Sequence, residues 1–387
     1  MRAAYVVGCR RRLARTMDWM PTRALSTAGE PAVLDALTRH GEPAWRARQV
    51  QDAIWQPFVS GFDGMLQLPA PLRRALAAEF EFSTVAVDTE VLADSGETIK
   101  LLCRLADGQT IETVAMETPL RAGSRRRSTV CVSSQVGCAV GCPFCATGHM
   151  GLRRSCTAAE IVDQVRAAAG ALHRRGLGPV THIVYMGMGE PLANVAATLE
   201  SLGVLTGAGG ISARRITVST SGVAPGIEQL AAFGIPVTLA VSLHAATDEL
   251  RDRLVPINRT YPLGVVLGTA SRYAEHSGRR ISFEWCLIGG VNDSMEQAEG
   301  LRDLARRAQA HINVIPMNRI EGSPWGPPEP DVARRFLGAL RGARVTVRDT
   351  RGGDADAACG QLRADLEARR ILRPDGTLSP PRVPARA

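Results

Sequence analysis

Between residues 31 and 82 apolar positions recur at helical spacing, in PAVLDALTRHG, PAWRARQVQDAIWQPFV and PAPLRRALAAEF. Each stretch opens on a proline, which suits a first helical turn, so three short helices are expected. The period then shortens. STVAVDTEVLADSGETIKLLCRLADGQTIETVAME (83–117) alternates apolar and polar residues and is broken by Asp-Ser-Gly and Ala-Asp-Gly, which predicts a three-stranded antiparallel meander. From about residue 129, short β-branched runs (STVCVSS, THIVYMGM, RRITVSTSG, PVTLAVSLHA, RISFEWCLI, HINVIPMN, ARVTVRDT) alternate with helical ones such as TAAEIVDQVRAAAGAL and SMEQAEGLRDLARRAQA. Repeated βα units imply a parallel sheet with helices outside. About six of them, short of the eight that close a barrel, predict a partial (βα)6 barrel with its site at the C-terminal ends of the strands.

The chain therefore divides into an N-terminal extension (1–28), a small helical plus antiparallel β accessory domain (29–118), an α/β core (119–362) and a proline-rich, disordered tail (363–387). No apolar run approaches the roughly 20 residues of a membrane span, and the basic, broken N-terminus lacks a signal-peptide core. A soluble cytoplasmic protein is expected. The net charge of +8 points to an anionic partner such as nucleic acid, although Lys100 is the single lysine and the arginine bias also reflects codon usage. Trp45, Arg46, Arg48 and Trp55 could meet RNA from the accessory domain, or the two tryptophans could anchor its core.

Nine cysteines, odd in number and unevenly spaced, argue against a disulfide framework and for metal or thiol chemistry in a reducing compartment. Three of them, Cys138, Cys142 and Cys145, fall in GCAVGCPFCATG directly after the first strand of the core. A cubane of four irons is normally held by four thiolates. Three leave one iron open to a small ligand, as a catalytic zinc site keeps a place for water. A zinc site completed by His149, or three unrelated buried cysteines, are the alternatives.

Polar residues recur at the ends of later strands. YMGMGEPL supplies Gly187, Gly189 and Glu190: glycines for close approach of a ligand to the backbone and a carboxylate for its ammonium group. Ser219 in TVSTSG, Ser242, Leu243 and His244 in VSLHA, and Asn318 in IPMN add contacts for ribose, carboxylate and adenine. Met186 could line the same place, although methionine is usually core filler. Two further thiols complete the set: Cys131 in CVSSQVGC and Cys359 in DAACGQL. Cys9, Cys103, Cys156 and Cys286 are packing residues on this view.

CVSSQVGC, CPFCATG, MGMGEPL, STSG, SLHA, VPIN and DAACGQL, in this order, resemble the RlmN/Cfr family of radical-SAM RNA adenine methyltransferases, from about residue 100 to 362. The resemblance implies a [4Fe-4S] cluster on Cys138, Cys142 and Cys145. It also implies two molecules of S-adenosyl-L-methionine per turnover, one of them clamped by Gly189 and Glu190. Cys359 would take a methyl group from the first. The second, cleaved to a deoxyadenosyl radical, would activate that S-methyl group for addition to an electron-poor ring carbon. Glu112 would accept the ring proton, and Cys131 would release the cross-linked RNA by thiol–disulfide exchange, leaving a Cys131–Cys359 disulfide to be reduced. The implied partners are 23S rRNA, at the peptidyl transferase centre, and tRNA, at the adenine 3′ of the anticodon. A reductant such as a flavodoxin would serve a monomeric enzyme. The implied atom is C2 of adenine; the Cfr branch, which methylates C8 and confers antibiotic resistance, is the alternative, and a non-catalytic RNA-binding assembly factor is another of a different class. The chain departs from the family in a longer connector (118–130) with Arg121, Arg125, Arg126 and Arg127, in Ser155 where asparagine is common, and in Met317 where tryptophan is common.

Overall fold

The computed structural model describes residues 23–118, 127–320, 323–348, 358 and 360–362. The N-terminal extension up to residue 22, most of the arginine-rich connector, Cys9, Cys359 and the proline-rich tail lie outside the described residues.

The three expected helices form: α1 (Gly29–Arg39), α2 (Arg46–Ile54) and α3 (Ala70–Glu79). They close around Leu25, Val33, Leu37, Val50, Ile54, Leu72 and Leu76, a small core of their own. The two tryptophans separate. Trp55 packs against both hydrophobic cores, whereas Trp45 stands 60% exposed with the Arg46 guanidinium 4.7 Å from its ring centre.

The meander also forms, as β1 (Val85–Ala93), β2 (Thr98–Leu105) and β3 (Thr110–Thr118). Its allegiance differs from the expected one. β3 pairs antiparallel with β4 (Arg127–Cys131), which in turn pairs parallel with the next core strand, so the meander prolongs the core sheet. Its apolar residues belong to the large core with those of the parallel strands, and the packing boundary falls near residue 84 rather than 118. Alternation shows that a strand is half-buried but not which edge it joins.

After β4 a two-stranded hairpin, β5 (Gln135–Gly137) and β6 (Leu152–Ser155), brackets the cysteine loop. The remaining strands are β7 (Val180–Tyr185), β8 (Ile216–Thr220), β9 (Thr238–Ser242), β10 (Ser282–Leu287), β11 (His311–Pro316) and β12 (Arg344–Val347). The large sheet runs β12-β11-β10-β9-β8-β7-β4-β3-β2-β1 and does not close: seven parallel strands carry three antiparallel ones. The expected α/β partial barrel is thus present with one strand more than six.

Helix α4 (Ala158–Arg174) joins the two cores. Thr157 and Glu160 close a capping box at its start. Asp163 accepts from Thr84 N–H and Oγ, and Arg166 donates to the carbonyls of Ile54 and Phe82. Among the described residues no helix is long and apolar enough to cross a membrane.

Candidate active site

The cysteine loop is fixed at its neck. Gly137 holds φ at +77°, and a Cβ there would lie 1.8 Å from the Gly151 carbonyl oxygen, so only glycine lets the hairpin close. The Cys138 N–H then donates to that same oxygen at 3.1 Å. Inside the loop, Cys145 N–H reaches Cys142 O and Gly148 N–H reaches Cys145 O. All three thiols line one cavity at the C-terminal ends of the strands, together with Gly189, Glu190, Ser219, Ser242, His244 and Asn318. Burial pushes the Cys138 thiol up to about 11 and raises Cys142 well above its ordinary value, with the neighbouring cysteines adding to the shift of Cys142.

Glu190 is buried, and burial raises its pKa against the pull of its hydrogen bonds. Oε2 accepts from Ser221 N–H and Oγ, both at 2.7 Å, and Oε1 from Leu192 N–H at 3.0 Å. The carboxylate thus stitches the β7 turn to the β8 turn, with a further hydrogen bond from the Thr220 side chain. The close approach at Gly189 is likewise internal: at φ +96° a Cβ would collide with the Gln135 side chain at 2.5 Å. Ser219 and Ser242 bring their hydroxyls within 3.4 Å. His244 stacks edge-on against Phe144, 4.8 Å between ring centres, and its Nδ1 accepts from Cys286 N–H, which leaves the proton on Nε2. Burial and, secondarily, Arg251 drive its pKa down to about 3, so the ring is neutral at physiological pH.

Not every expected residue faces the cavity. The Leu243 side chain is in the large core, and only its backbone takes part, donating to Glu284 O and accepting from Arg251. Glu112 and Cys131 are buried and do not line the cavity. The residues that follow Cys359 are docked at its rim: Gly360 lines it and accepts from Ala146 N–H at 2.8 Å, Leu362 O accepts from Thr147 Oγ at 2.6 Å, and Gln361 donates to Arg319 O.

A model of the Radical SAM superfamily matches residues 132–301. A protein of Moorella thermoacetica named probable dual-specificity RNA methyltransferase RlmN is 46% identical, over 88% of this chain and 97% of its own. Its namesake from Parafrankia sp. is 45% identical, over 90% and 94%. The chain belongs to the RlmN/Cfr family. A crystal structure of a radical SAM methyltransferase from Sphaerobacter thermophilus agrees, with a TM-score of 0.83 and 46% identity over 89% of this chain and 100% of that one.

The RlmN/Cfr family implies an iron–sulfur cluster and adenosylmethionine, and the donor set fits both. Among the described residues no three His, Cys, Asp or Glu side chains converge on a point that would hold a single ion. Three thiols on one loop, lining one cavity, match the thiolate donors that an iron–sulfur cluster takes. His149, the alternative fourth ligand, sets Nε2 2.9 Å from the Pro143 carbonyl. The cavity also suits a cation: Glu190 and Glu284 line it, and among the described residues no lysine or arginine does, in a chain of net charge +8. Adenosylmethionine brings a sulfonium and an ammonium.

Sequence reasoning missed the residue that ties the strand ends together. Arg251, fully buried in α5 (Asp248–Leu254), donates to the carbonyls of Leu243, Ser242 and Ser221 and to Asn258 Oδ1 at 2.6–3.1 Å. Burial lowers its pKa to about 10, which still leaves it charged. Arg251→Met would orphan several buried acceptors, each worth about 1–3 kcal/mol. A loss of at least about 3 kcal/mol is expected, read as a lower melting temperature, together with weaker adenosylmethionine binding by calorimetry.

Proposed function

We propose that this chain methylates C2 of an adenine in 23S rRNA, at the peptidyl transferase centre, and of the adenine 3′ of the anticodon in tRNA, using Cys359 as the methyl carrier. The observation that carries this reading is the cavity itself. Three thiols on one loop, a carboxylate clamp, strand-end serines and a neutral histidine meet there, and residues 360–362, which directly follow Cys359 in the sequence, are anchored to its rim. The relatives' names, which speak of dual-specificity RNA methyltransferases, support an RNA substrate.

Cys138, Cys142 and Cys145 would hold a [4Fe-4S] cluster whose role, when bound, is to deliver one electron to adenosylmethionine and start radical chemistry. The chain's own residues do the rest. Glu190 and Gly189 receive the amino-acid end of adenosylmethionine, Ser219, Ser242 and Asn318 its nucleoside, and neutral His244 can donate from Nε2 without adding a repelling charge. The Cys359 sulfur carries the methyl group to a ring carbon too electron-poor to act as a nucleophile itself. Glu112 takes the ring proton, and Cys131 frees the product by attacking Cys359, which leaves the two as a disulfide. Two adenosylmethionines are used per turnover, one for the methyl group and one for the radical. The enzyme works as a cytoplasmic monomer fed by a reductant such as a flavodoxin.

Mass spectrometry of rRNA and tRNA nucleosides from a deletion strain tests the proposal. Loss of 2-methyladenosine is expected; loss of 8-methyladenosine in its place would assign the Cfr reaction.

A further inference from the structure

Of 46 lysine and arginine residues in the chain, only Lys100 is a lysine, and it is not on the surface. Its Nζ lies 3.3 Å from Glu112 Oε1, with the two side chains 3% and 4% exposed. Lys100 on β2, Val114 on β3 and Cys131 on β4 face one another across the sheet, and Glu112 lies two residues from Val114 on the same face. The opposite face looks to α4, where Thr113 Oγ donates to Gln164. The Glu112 backbone is tied to the active-site turns: its N–H points at Met188 Sδ, 3.4 Å away, and its carbonyl accepts from Ser133 Oγ at 2.5 Å.

Stability does not explain such a pair. Desolvating two charges costs several kcal/mol per ion, and well-packed apolar residues in place of a buried ion pair are often neutral or stabilising. Arginine fills every other cationic position, so charge alone does not explain the lysine either. An ammonium is compact, with three donors on a flexible stem; a guanidinium is a flat fork that grips both carboxylate oxygens. The difference matters where the partner changes charge.

We propose that Lys100 is the positioning residue of the proton acceptor: it keeps the Glu112 carboxylate ionised and aimed while shut off from water, and turns its donors elsewhere once that carboxylate is neutral. This rests on the assignment of Glu112 as the acceptor. In the transfer a ring C–H bond breaks, its electron pair stays on the ring, and the proton forms an O–H bond on Glu112, while Lys100 keeps its own proton.

On the same sheet face the other titratable groups are Arg104, paired with Asp88 at 2.8 Å, Arg127, His182 and Cys131, and Glu190 lies two residues beyond Met188. On the reverse face Cys103 is pushed up to about 12 by burial. Burial and two arginines bring His182 down to about 4, below the range of the assay.

The test is single-turnover RNA methylation by the reconstituted enzyme from mildly acid to mildly alkaline pH, in K100M, K100R, E112Q and K100M/E112Q. Without its cation Glu112 ionises less readily, so in K100M the acid limb moves up by at least about one pH unit and the neutral rate falls about tenfold, recovering in alkali. S-methylation of Cys359, followed by peptide mass spectrometry, is unchanged, because no RNA proton moves in that step. K100R does not restore the rate. K100M/E112Q, which removes both members of the ion pair together and so remains foldable if K100M is not, shows the rate of E112Q alone. An unshifted limb in K100M, or a double variant slower than E112Q, overturns the role of Lys100. E112Q at wild-type rate overturns the assignment of Glu112 itself, whatever Lys100 does.

Discussion

Cys142→Ala is expected to abolish RNA methylation, by at least about three orders of magnitude, while the chain stays folded. Two thiols on the loop cannot hold a cubane that already has one corner open, so iron and sulfide per chain should fall together with adenosylmethionine cleavage. The folding cost is small. The side chain is half-buried in a satellite cluster with Ala146, Leu254 and Met317, and trimming one sulfur there costs about 1 kcal/mol. Gly137, Gly148 and the backbone hydrogen bonds keep the loop in shape. Elemental analysis after anaerobic reconstitution, beside a thermal melt, checks both halves. A variant with full iron content and full activity would show that the cluster is bound elsewhere.

Cys131→Ala separates the two halves of the thiol chemistry. Cys131 ends β4, buried, one strand from Glu112, so the expected defect comes after the ring carbon has been attacked. RNA should stay covalently joined to Cys359 through a denaturing gel, with multiple turnover lost and the first adduct still formed. Cys359→Ala should give neither adduct nor S-methyl peptide, and no methylated RNA. The contrast is the informative result. Two variants that both accumulated the adduct would place the carrier sulfur at another residue, whereas two that both lacked it would move Cys131 to an earlier step.

Much of this was legible in the chain. The β-branched runs foretell the parallel strands, and the cysteine spacing alone marks the loop. What escaped has identifiable causes. DELRDRL has the look of a solvated helix turn, and only the tertiary arrangement reveals that Arg251 is buried beneath the strand ends, a burial its four acceptors make affordable. Glu190 looked like a ligand clamp alone because its partners Ser221 and Leu192 belong to turns whose approach no local pattern encodes. The crowding at Gly189 comes from Gln135, 54 positions earlier in the chain. Leu243 was grouped with its polar neighbours in SLHA, but alternation along the strand end sends its side chain to the opposite side from Ser242 and His244.

The charge of the cavity wall has a consequence for life among other nucleotides. ATP, NAD and coenzyme A share the adenosine body of adenosylmethionine, and all of them bring phosphates. Two carboxylates and no basic side chain among the described wall residues would turn those abundant decoys away by repulsion, in a chain whose net charge is +8. The wall would thereby sort adenosine-bearing molecules by the sign of the charge they carry.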